Sequence, residues 1–408
     1  MSRSYYSLIG AGAALIGCCY GFARFAYGLF VPVFTDRFEL SATVIGLVGA
    51  GSYLGYCAAI TVALVYTDRV GARRMAVAAG VVATVGILVV TAAQSAAVLA
   101  VGILVAGMST GLASPPLASA LAQRLSAERA DRAQTIVNAG TGIGVVVSGP
   151  IALALLGQWR LAWAIYGAIT VAVTAWVAFA LRNGPEVQRS RVTVGRRFRP
   201  GTAGLLVASV LTGVGCIAIW NFGRDLIGAE SGGDAVATTA WMLLGAAGIG
   251  GAFGGAAVQR LGFGRTWVAT VAAMAAATAG LALAADHVAA ILVSACVFGA
   301  AYIGLSGLLL LWGTRVYPDA AAYGVGLAFF AIAAGQALGA PVVGALIESF
   351  GYQAAFLVFA GAGALAMLAR PAPAPDSPAA DEVPVAGGDG HDDRGGRDHR
   401  GAGDQREL

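Results

Sequence analysis

The sequence predicts an all-α membrane protein whose twelve transmembrane helices form two pseudo-symmetric six-helix bundles. Of its 408 residues, 58% are hydrophobic and only 11% are charged, and the apolar residues gather into twelve runs. Soluble domains carry about 25% charged residues. Because a spanning helix needs about 20 apolar residues, twelve helices occupy most of the chain and leave no room for a soluble domain.

Short connections that hold most of the charged residues separate the twelve runs. The predicted helices cover residues 7–33, 42–66, 75–94, 97–121, 133–156, 160–181, 203–223, 236–258, 266–285, 288–312, 322–347 and 353–370. Residues 1–181 therefore form the first bundle and 201–370 the second, joined by an Arg-rich cytoplasmic linker at 182–200. The segment 371–408 is rich in Pro, Gly and Asp, so it buries too little apolar surface to fold and is predicted to be a disordered cytoplasmic tail.

The basic residues indicate how the chain crosses the membrane. All 25 are arginines, and alternate connections place fifteen of them on one side and three on the other. The positive-inside rule therefore puts the Arg-rich side, with both termini, in the cytoplasm of a cell whose plasma membrane the chain spans. Because these arginines are dispersed among loops, we expect no nucleic-acid partner. The expected partners are the lipid bilayer and a small-molecule substrate, and we expect the protein to be a monomer.

Three separated matches at one offset of 191 residues indicate an internal duplication. The segment 68–74 after helix two aligns with 259–265 after helix eight, Arg124 aligns with Arg315, and 149–150 in helix five aligns with 340–341 in helix eleven. Two related six-helix halves are common in membrane transporters.

These residues resemble the major facilitator superfamily over roughly residues 7–370. The segment after helix two is similar to the family's loop signature in Asp68, Arg69, Gly71, Arg73 and Arg74. The resemblance implies an alternating-access transporter in which Asp68 reaches the start of helix eleven, near 320–323, and holds the cytoplasmic side shut. The alternative is that the loop is only a solvated cluster of topology-determining arginines.

Two further segments extend the resemblance. Residues 21–27 resemble the first helix of a poorly characterised bacterial branch of the family, and helix five resembles a glycine-proline motif of exchangers. Small residues next to proline let helices approach and bend. We therefore assign a helix-packing role to Gly140, Gly144, Gly149 and Pro150 of helix five and to Gly339 and Pro341 of helix eleven.

Arg24 is the most informative residue because it lies deep in the predicted first helix. A charge there costs about 2.5–3.5 kcal/mol and should face the bundle interior. At helical spacing, Tyr20 and Tyr27 share its face, whereas Phe22, Phe25 and Leu29 occupy the opposite one. We expect Arg24 to offer its guanidinium to a carboxylate or phosphate. The alternative is that it bonds internal carbonyls or snorkels outward.

Other polar and aromatic side chains inside the predicted helices are candidates for the same cavity. They are Tyr53 and Tyr56 in helix two, Trp220 and Asn221 in helix seven, Tyr302 in helix ten and Gln336 in helix eleven. For Trp220 an interfacial position is the alternative, and for the others a hydrogen bond to a neighbouring helix.

The acidic residues constrain the mechanism. Every Asp and Glu before the tail is expected at or outside the ends of the predicted helices, and His287 lies in a loop. This pattern predicts no intramembrane proton relay and favours facilitated diffusion or anion exchange. The sequence also lacks a nucleophile with a base, paired histidines, a CxxC motif and a phosphate-binding loop, so we expect neither an enzyme nor a bound cofactor or metal.

The sequence thus predicts a transporter of a small anionic organic solute, with Arg24 in its central site. Two alternatives remain: an exporter of lipophilic compounds, which the aromatic residues would suit, and a membrane receptor or sensor that binds a ligand without moving it.

Overall fold

The structure is a computed structural model, and it describes residues 3–155, 157–182, 198–231, 233–251 and 254–369. In these ranges the chain is almost entirely helical. The centre of the predicted linker, 183–197, and the predicted tail lie outside the described residues, so both assignments stay predictions.

Within the described ranges, twelve helices follow one another. They are α1 (Arg3–Ile16, continued by Gly17–Phe25 and Ala26–Leu29), α2 (Ala42–Val70), α3 (Ala72–Thr91), α4 (Ala96–Ala122), α5 (Ala127–Ala154), α6 (Trp159–Ala180), α7 (Thr202–Ser231), α8 (Asp234–Gly251, then Gly254–Leu261), α9 (Phe263–Leu283), α10 (Val288–Val316), and α11 and α12, which are the parts of Ala321–Ala364 before and after Gly351. A short helix, Val31–Phe38, follows α1, and 3-10 turns occupy Pro318–Ala320 and Leu365–Leu368.

The helices have the length and composition of membrane spans. In the part of the chain that the structure describes, ten stretches are long and apolar enough to cross a bilayer. The last stretch, Tyr323–Leu368, is divided at Gly351 (φ 81°, ψ 170°) into α11 and α12, so the ten stretches comprise eleven helices. The twelfth helix is α8. The predicted fold class is confirmed.

The helix α7 extends beyond the predicted end at residue 223 and reaches Ser231. Arg224, which we had expected in a loop, is a buried residue of this helix, and its Nη2 lies 2.6 Å from Oδ1 of Asp234 at the start of α8. The hydrophobic run ends at the first charged residue, but the ion pair offsets the burial of this charge and lets the helix continue.

The expectation that every acidic residue lies at or outside the helix ends is wrong for Asp225. This residue lies within the last two turns of α7, and its carboxylate accepts a hydrogen bond from the hydroxyl of Tyr352 at the start of α12. The bond and the adjacent Arg224 stabilise a carboxylate that the sequence pattern alone assigns to a loop.

The middle of α1, Gly17–Phe25, is a π-helix. Such segments contain an additional residue per turn and are frequent at functional sites. This part of α1 lies against α5 so closely that a Cβ at Gly144 would be 2.2 Å from the carbonyl oxygen of Gly17. Only glycine allows this backbone approach.

Two turns show the internal repeat in the backbone. Gly71 joins α2 to α3 with φ 94° and ψ 142°, and Gly262 joins α8 to α9 with φ 80° and ψ 158°. They are separated by the same 191 residues as the sequence matches. Because residues with a side chain rarely adopt this backbone conformation, both copies of the turn need glycine.

The two halves pack against each other along α2 with α11 and along α5 with α8. At one end, the start of α2 meets the end of α11. Here the carboxylate of Glu348 accepts hydrogen bonds of 2.8 Å from both the backbone N–H and the hydroxyl of Thr43. A carboxylate at a helix N-terminus is favourable because it meets unpaired N–H groups and the positive end of the helix dipole. By the predicted topology, this is the outer side.

The close approach of α1 and α5 yields a prediction for stability. We expect Gly144→Ala to lower the melting temperature, because accommodating the methyl group costs about 1–3 kcal/mol. Gly361→Ala in α12 is the matched control, since no atom lies within 4 Å of a Cβ there. Thermal unfolding of both purified variants measures the difference, and equal melting temperatures would contradict the packing.

The contact of Glu348 with α2 yields a second prediction. Glu348→Gln removes the charge, so we expect the backbone N–H of Thr43 to exchange its hydrogen faster. Hydrogen–deuterium exchange of peptides from the start of α2 measures this, and Glu230→Gln, an exposed substitution in α7, serves as control. Unchanged exchange in the Glu348 variant would show that the contact does not hold the two halves together.

Candidate functional site

Arg24 lies in the π-helical part of α1 and is only 4% exposed. Its guanidinium carbon is 5.7 Å from the ring centroid of Tyr20, 5.0 Å from Phe25, 4.7 Å from Tyr53 and 4.8 Å from Tyr56. A cation within about 6 Å of an aromatic face is attracted by the ring quadrupole. Four rings from α1 and α2 therefore surround the charge.

The polar contacts of Arg24 reach into the second half of the chain. Its Nη2 donates a hydrogen bond to Oε1 of Gln336 in α11, and Nε2 of Gln336 donates to Sγ of Cys216 in α7 at 3.3 Å. Gln336 is fully buried. The chain of contacts joins α1, α11 and α7 at the centre of the molecule.

Aromatic rings of α7 and α10 continue the site. Trp220 stacks on Phe25 with centroids 3.8 Å apart, and Tyr302 meets Trp220 edge-on at 5.3 Å. The hydroxyl of Tyr53 donates to Oδ1 of Asn221 at 3.2 Å. We call this assembly the Arg24 cluster: Tyr20, Arg24, Phe25, Tyr53, Tyr56, Trp220, Asn221, Tyr302 and Gln336.

Most of the residues predicted to bind substrate thus lie together, and Tyr27 lies apart. Its hydroxyl donates to the carbonyl oxygen of Ile45 at 2.7 Å, and its ring stacks on Phe34. Tyr27 packs α1 against α2 one turn beyond Arg24. Next to the cluster, a Cβ built at Gly49 would be 3.4 Å from the ring of Tyr27 and 2.5 Å from Nδ2 of Asn221.

The predicted position of Phe25, on the face opposite Arg24, is wrong. Phe25 stacks on Trp220 and belongs to the cluster. The prediction used the 3.6-residue period of an α-helix, whereas the π-helix has a longer period and rotates the side chains that follow. The sequence carries no pattern that would reveal the π-helix. It also gave no reason to place Cys216 in the site, because a buried thiol resembles any small apolar residue.

The cluster contains unpaired hydrogen-bond donors. Among the residues that the structure describes, Nε of Arg24, Nε1 of Trp220, Nδ2 of Asn221 and the hydroxyl of Tyr56 are buried without a hydrogen-bond partner. In the same part of the chain, no carboxylate lies within salt-bridge distance of Arg24. A buried unpaired donor costs about 1–3 kcal/mol. A ligand that supplies acceptor oxygens and negative charge would satisfy the site.

A cavity of about 110 Å³ lies beside the Arg24 cluster. Tyr20, Phe25 and Tyr302 line it together with residues from the first half of α5 and the second half of α10. This is the half of the molecule that the arginine distribution places toward the cytoplasm. In the described residues, no group of three or more His, Cys, Asp or Glu could hold a metal ion.

The residues of the predicted gate lie around the turn at Gly71. The guanidinium carbon of Arg69 is 5.8 Å from the ring of Tyr66, and Nε of Arg73 donates to the carbonyl oxygen of Ala178 in α6 at 2.9 Å. The side chain of Asp68 lies outside the described residues, so its contact with α11 stays a prediction, and nothing defines a role for Arg74.

The sequence did not predict that Arg124, which follows α4, contacts the end of α6. Arg124 donates to the carbonyl oxygens of Ala180 and Leu181 at 3.4 and 3.0 Å. Arginines near a helix C-terminus bond its free carbonyls and interact favourably with its dipole. Arg73 and Arg124 therefore both bond carbonyl oxygens at the end of α6.

The glycines of the predicted packing motif lie at helix contacts. A Cβ at Gly140 would be 2.1 Å from the carbonyl oxygen of Ala13, one at Gly149 would be 2.5 Å from Met242, and one at Gly339 would be 2.9 Å from Ile217. Pro150 and Pro341 lie inside α5 and α11.

Comparisons with known proteins give the family. No curated protein sequence matches the chain. Among solved structures, it is similar to a D-xylose-proton symporter (TM-score 0.74, 14% identity, covering 90% of this chain and 97% of that one). It is also similar to a mutant of the nucleoside transporter NupG (0.70, 14%, 90% and 98%). A third is a bacterial homolog of the human lysosomal transporter Spinster in an inward-facing, unoccupied conformation (0.69, 16%, 90% and 95%).

At these identities the structures show a common fold. The sequence model described as Major Facilitator Superfamily matches residues 13–332, which is more than three quarters of the chain. The twelve helices, the repeated turns at Gly71 and Gly262 and this match agree, and the chain belongs to the Major Facilitator Superfamily.

Proposed function

We propose that this protein moves a small organic anion across the plasma membrane by alternating access, with Arg24 as the residue that binds the negative charge. The observation that carries the proposal is the buried guanidinium of Arg24, which has no carboxylate partner in the described part of the chain. Gln336, Asn221 and Trp220 would complete the site, since each directs an N–H group into the cluster or beside it.

The charge of Arg24 needs compensation. Removing an ion from water costs several kcal/mol even after relaxation, and each of the four cation–π contacts offsets about 0.5–2 kcal/mol of this cost. The bond to Gln336 supplies only a neutral dipole. A carboxylate would provide opposite charge and a pair of acceptor oxygens that match the planar guanidinium.

The size of the cavity favours a small solute over the lipophilic alternative. Pockets for drug-sized ligands have volumes of about 300–1,000 Å³, whereas the cavity beside the cluster has about 110 Å³. The aromatic rings around Arg24 are also in contact with one another and with the guanidinium. They therefore form a wall of the site.

The mechanism follows from the two halves. Tyr20, Arg24 and Tyr53 belong to the first half, and Trp220, Tyr302 and Gln336 to the second, so a ligand at Arg24 contacts both. Rocking of the halves around such a site exposes it to each side in turn. We place Asp68 at the cytoplasmic gate and both termini in the cytoplasm, and we expect a monomer to suffice because the site lies within one chain.

The similar structures do not decide the substrate. Their names mention a nucleoside in one case, a sugar and a proton in another, and no substrate in the third. The assignment of the substrate class therefore rests on Arg24.

Arg24→Ala tests the anion site. We expect carboxylates to raise the melting temperature of the purified wild-type protein and to bind about 10- to 160-fold more weakly to the variant, because a charge-assisted hydrogen bond contributes roughly 1.5–3 kcal/mol. Arg160→Ala, which removes a guanidinium bonded to the carbonyl of Ala93 outside the cluster, should bind like the wild type. Stabilisation of wild type and Arg24→Ala alike by lipophilic compounds only would favour the exporter.

Flux distinguishes a transporter from a receptor. We expect proteoliposomes containing the wild-type protein to accumulate the stabilising anion by exchange, and those containing Arg24→Ala to lose this flux. A variant that lacks residues 371–408 should retain it, because the site lies wholly in the helices. Binding without flux in a correctly inserted protein would indicate a receptor.

A further inference from the structure

We infer that the substrate is a hydroxylated carboxylate, with its charge at Arg24 and its hydroxyl groups in the neighbouring cavity. This inference rests on the proposed function and names the substrate class of the same site. Five residues outside the predicted set carry it. They are Ser114 of α4, Thr135, Asn138 and Thr141 of α5, and Ser306 of α10.

The lining of the cavity is mainly apolar, with a few uncharged polar groups. Besides these five side chains, it consists of apolar and aromatic residues and Gly307, and no Asp, Glu, Arg or His of the described residues lines it. An ionic group would find no opposite charge among these residues. A neutral group that hydrogen-bonds can use the capacity that remains at Asn138 and Ser306.

The cavity and the Arg24 cluster share three residues. Tyr20, Phe25 and Tyr302 line the cavity, and the rings of Tyr20 and Phe25 also face the guanidinium of Arg24. The hydroxyls of Tyr20 and Ser114 lie 3.0 Å apart. Because Tyr20 and Phe25 border both compartments, a movement of these side chains would let one small molecule reach both.

The hydrogen bonds already present define what remains for a ligand. Oδ1 of Asn138 accepts from Nε2 of Gln134 at 2.9 Å, so its NH₂ group is the part that can donate to a ligand. The hydroxyl of Ser306 donates to the carbonyl oxygen of Tyr302 at 2.9 Å, so its oxygen can accept. A ligand hydroxyl both donates and accepts, and it therefore matches both residues.

The cavity limits the length of the hydroxylated part. A water-sized group needs about 10–15 Å³ of such a cavity, so about 110 Å³ holds fewer than about a dozen such groups. Short hydroxy acids satisfy this limit together with the charge at Arg24.

Matched pairs of carboxylates test the inference with the full-length protein. Propionate, lactate and glycerate differ only in hydroxyl groups, and their dissociation constants follow from thermal-shift titration. We expect each hydroxyl to tighten binding to the wild type by roughly two- to tenfold, the range of a single neutral hydrogen bond. Asn138→Leu should remove most of this gain and leave propionate binding unchanged.

Two further variants keep the test decisive. Ser306→Ala should reduce the gain in affinity per ligand hydroxyl even if Asn138→Leu does not fold. The control is Thr84→Val in α3, which removes a hydroxyl that bonds the carbonyl of Gly80 and should leave this gain unchanged. If the wild type binds propionate, lactate and glycerate equally and Arg24→Ala binds none of them, the hydroxyl site is overturned and the anion site stands. Failure of all three to bind the folded wild type would overturn both.

Discussion

The buried charge of Arg24 is the constraint on which the centre of this protein depends. A guanidinium at this depth in a membrane protein must be surrounded by groups that tolerate it, and here those groups come from both halves of the chain. Tyr20, Tyr53 and Tyr56 provide aromatic faces from the first half, and Gln336 provides a hydrogen bond from the second. The charge therefore links the two halves at the level of the proposed site.

The same arrangement explains how a ligand could couple to a change of state. The carboxamide of Gln336 occupies one donor of Arg24, while Nε of the same guanidinium and the N–H groups of Trp220 and Asn221 have no partner in the described residues. An anion that displaces the weak dipole of Gln336 would change the contact between α1 and α11. Since these helices belong to different halves, binding would alter how the halves meet.

Charged side chains at the helix ends complete the packing. Arg73 and Arg124 bond the last carbonyls of α6, Arg224 pairs with Asp234, and Glu348 bonds the start of α2. Each is located where a helix leaves backbone groups unpaired or where a charge would otherwise lack a partner. Charged residues are rare in this chain, and these few determine how its helices end and meet.

The sequence by itself determined the class of fold, the twelve helices, the repeat at 191 residues and the position of Arg24 inside the bundle. Hydrophobic periodicity and the cost of a charge in a membrane are local properties of the chain, so they can be read from composition and spacing. Only the tertiary structure decided that α1 contains a π-helix, that Phe25 consequently faces Trp220, that α7 continues past Arg224, and that small polar residues of α4, α5 and α10 share one cavity. These features depend on contacts between helices distant in sequence, because backbone approach and ion pairs across the fold override the local pattern.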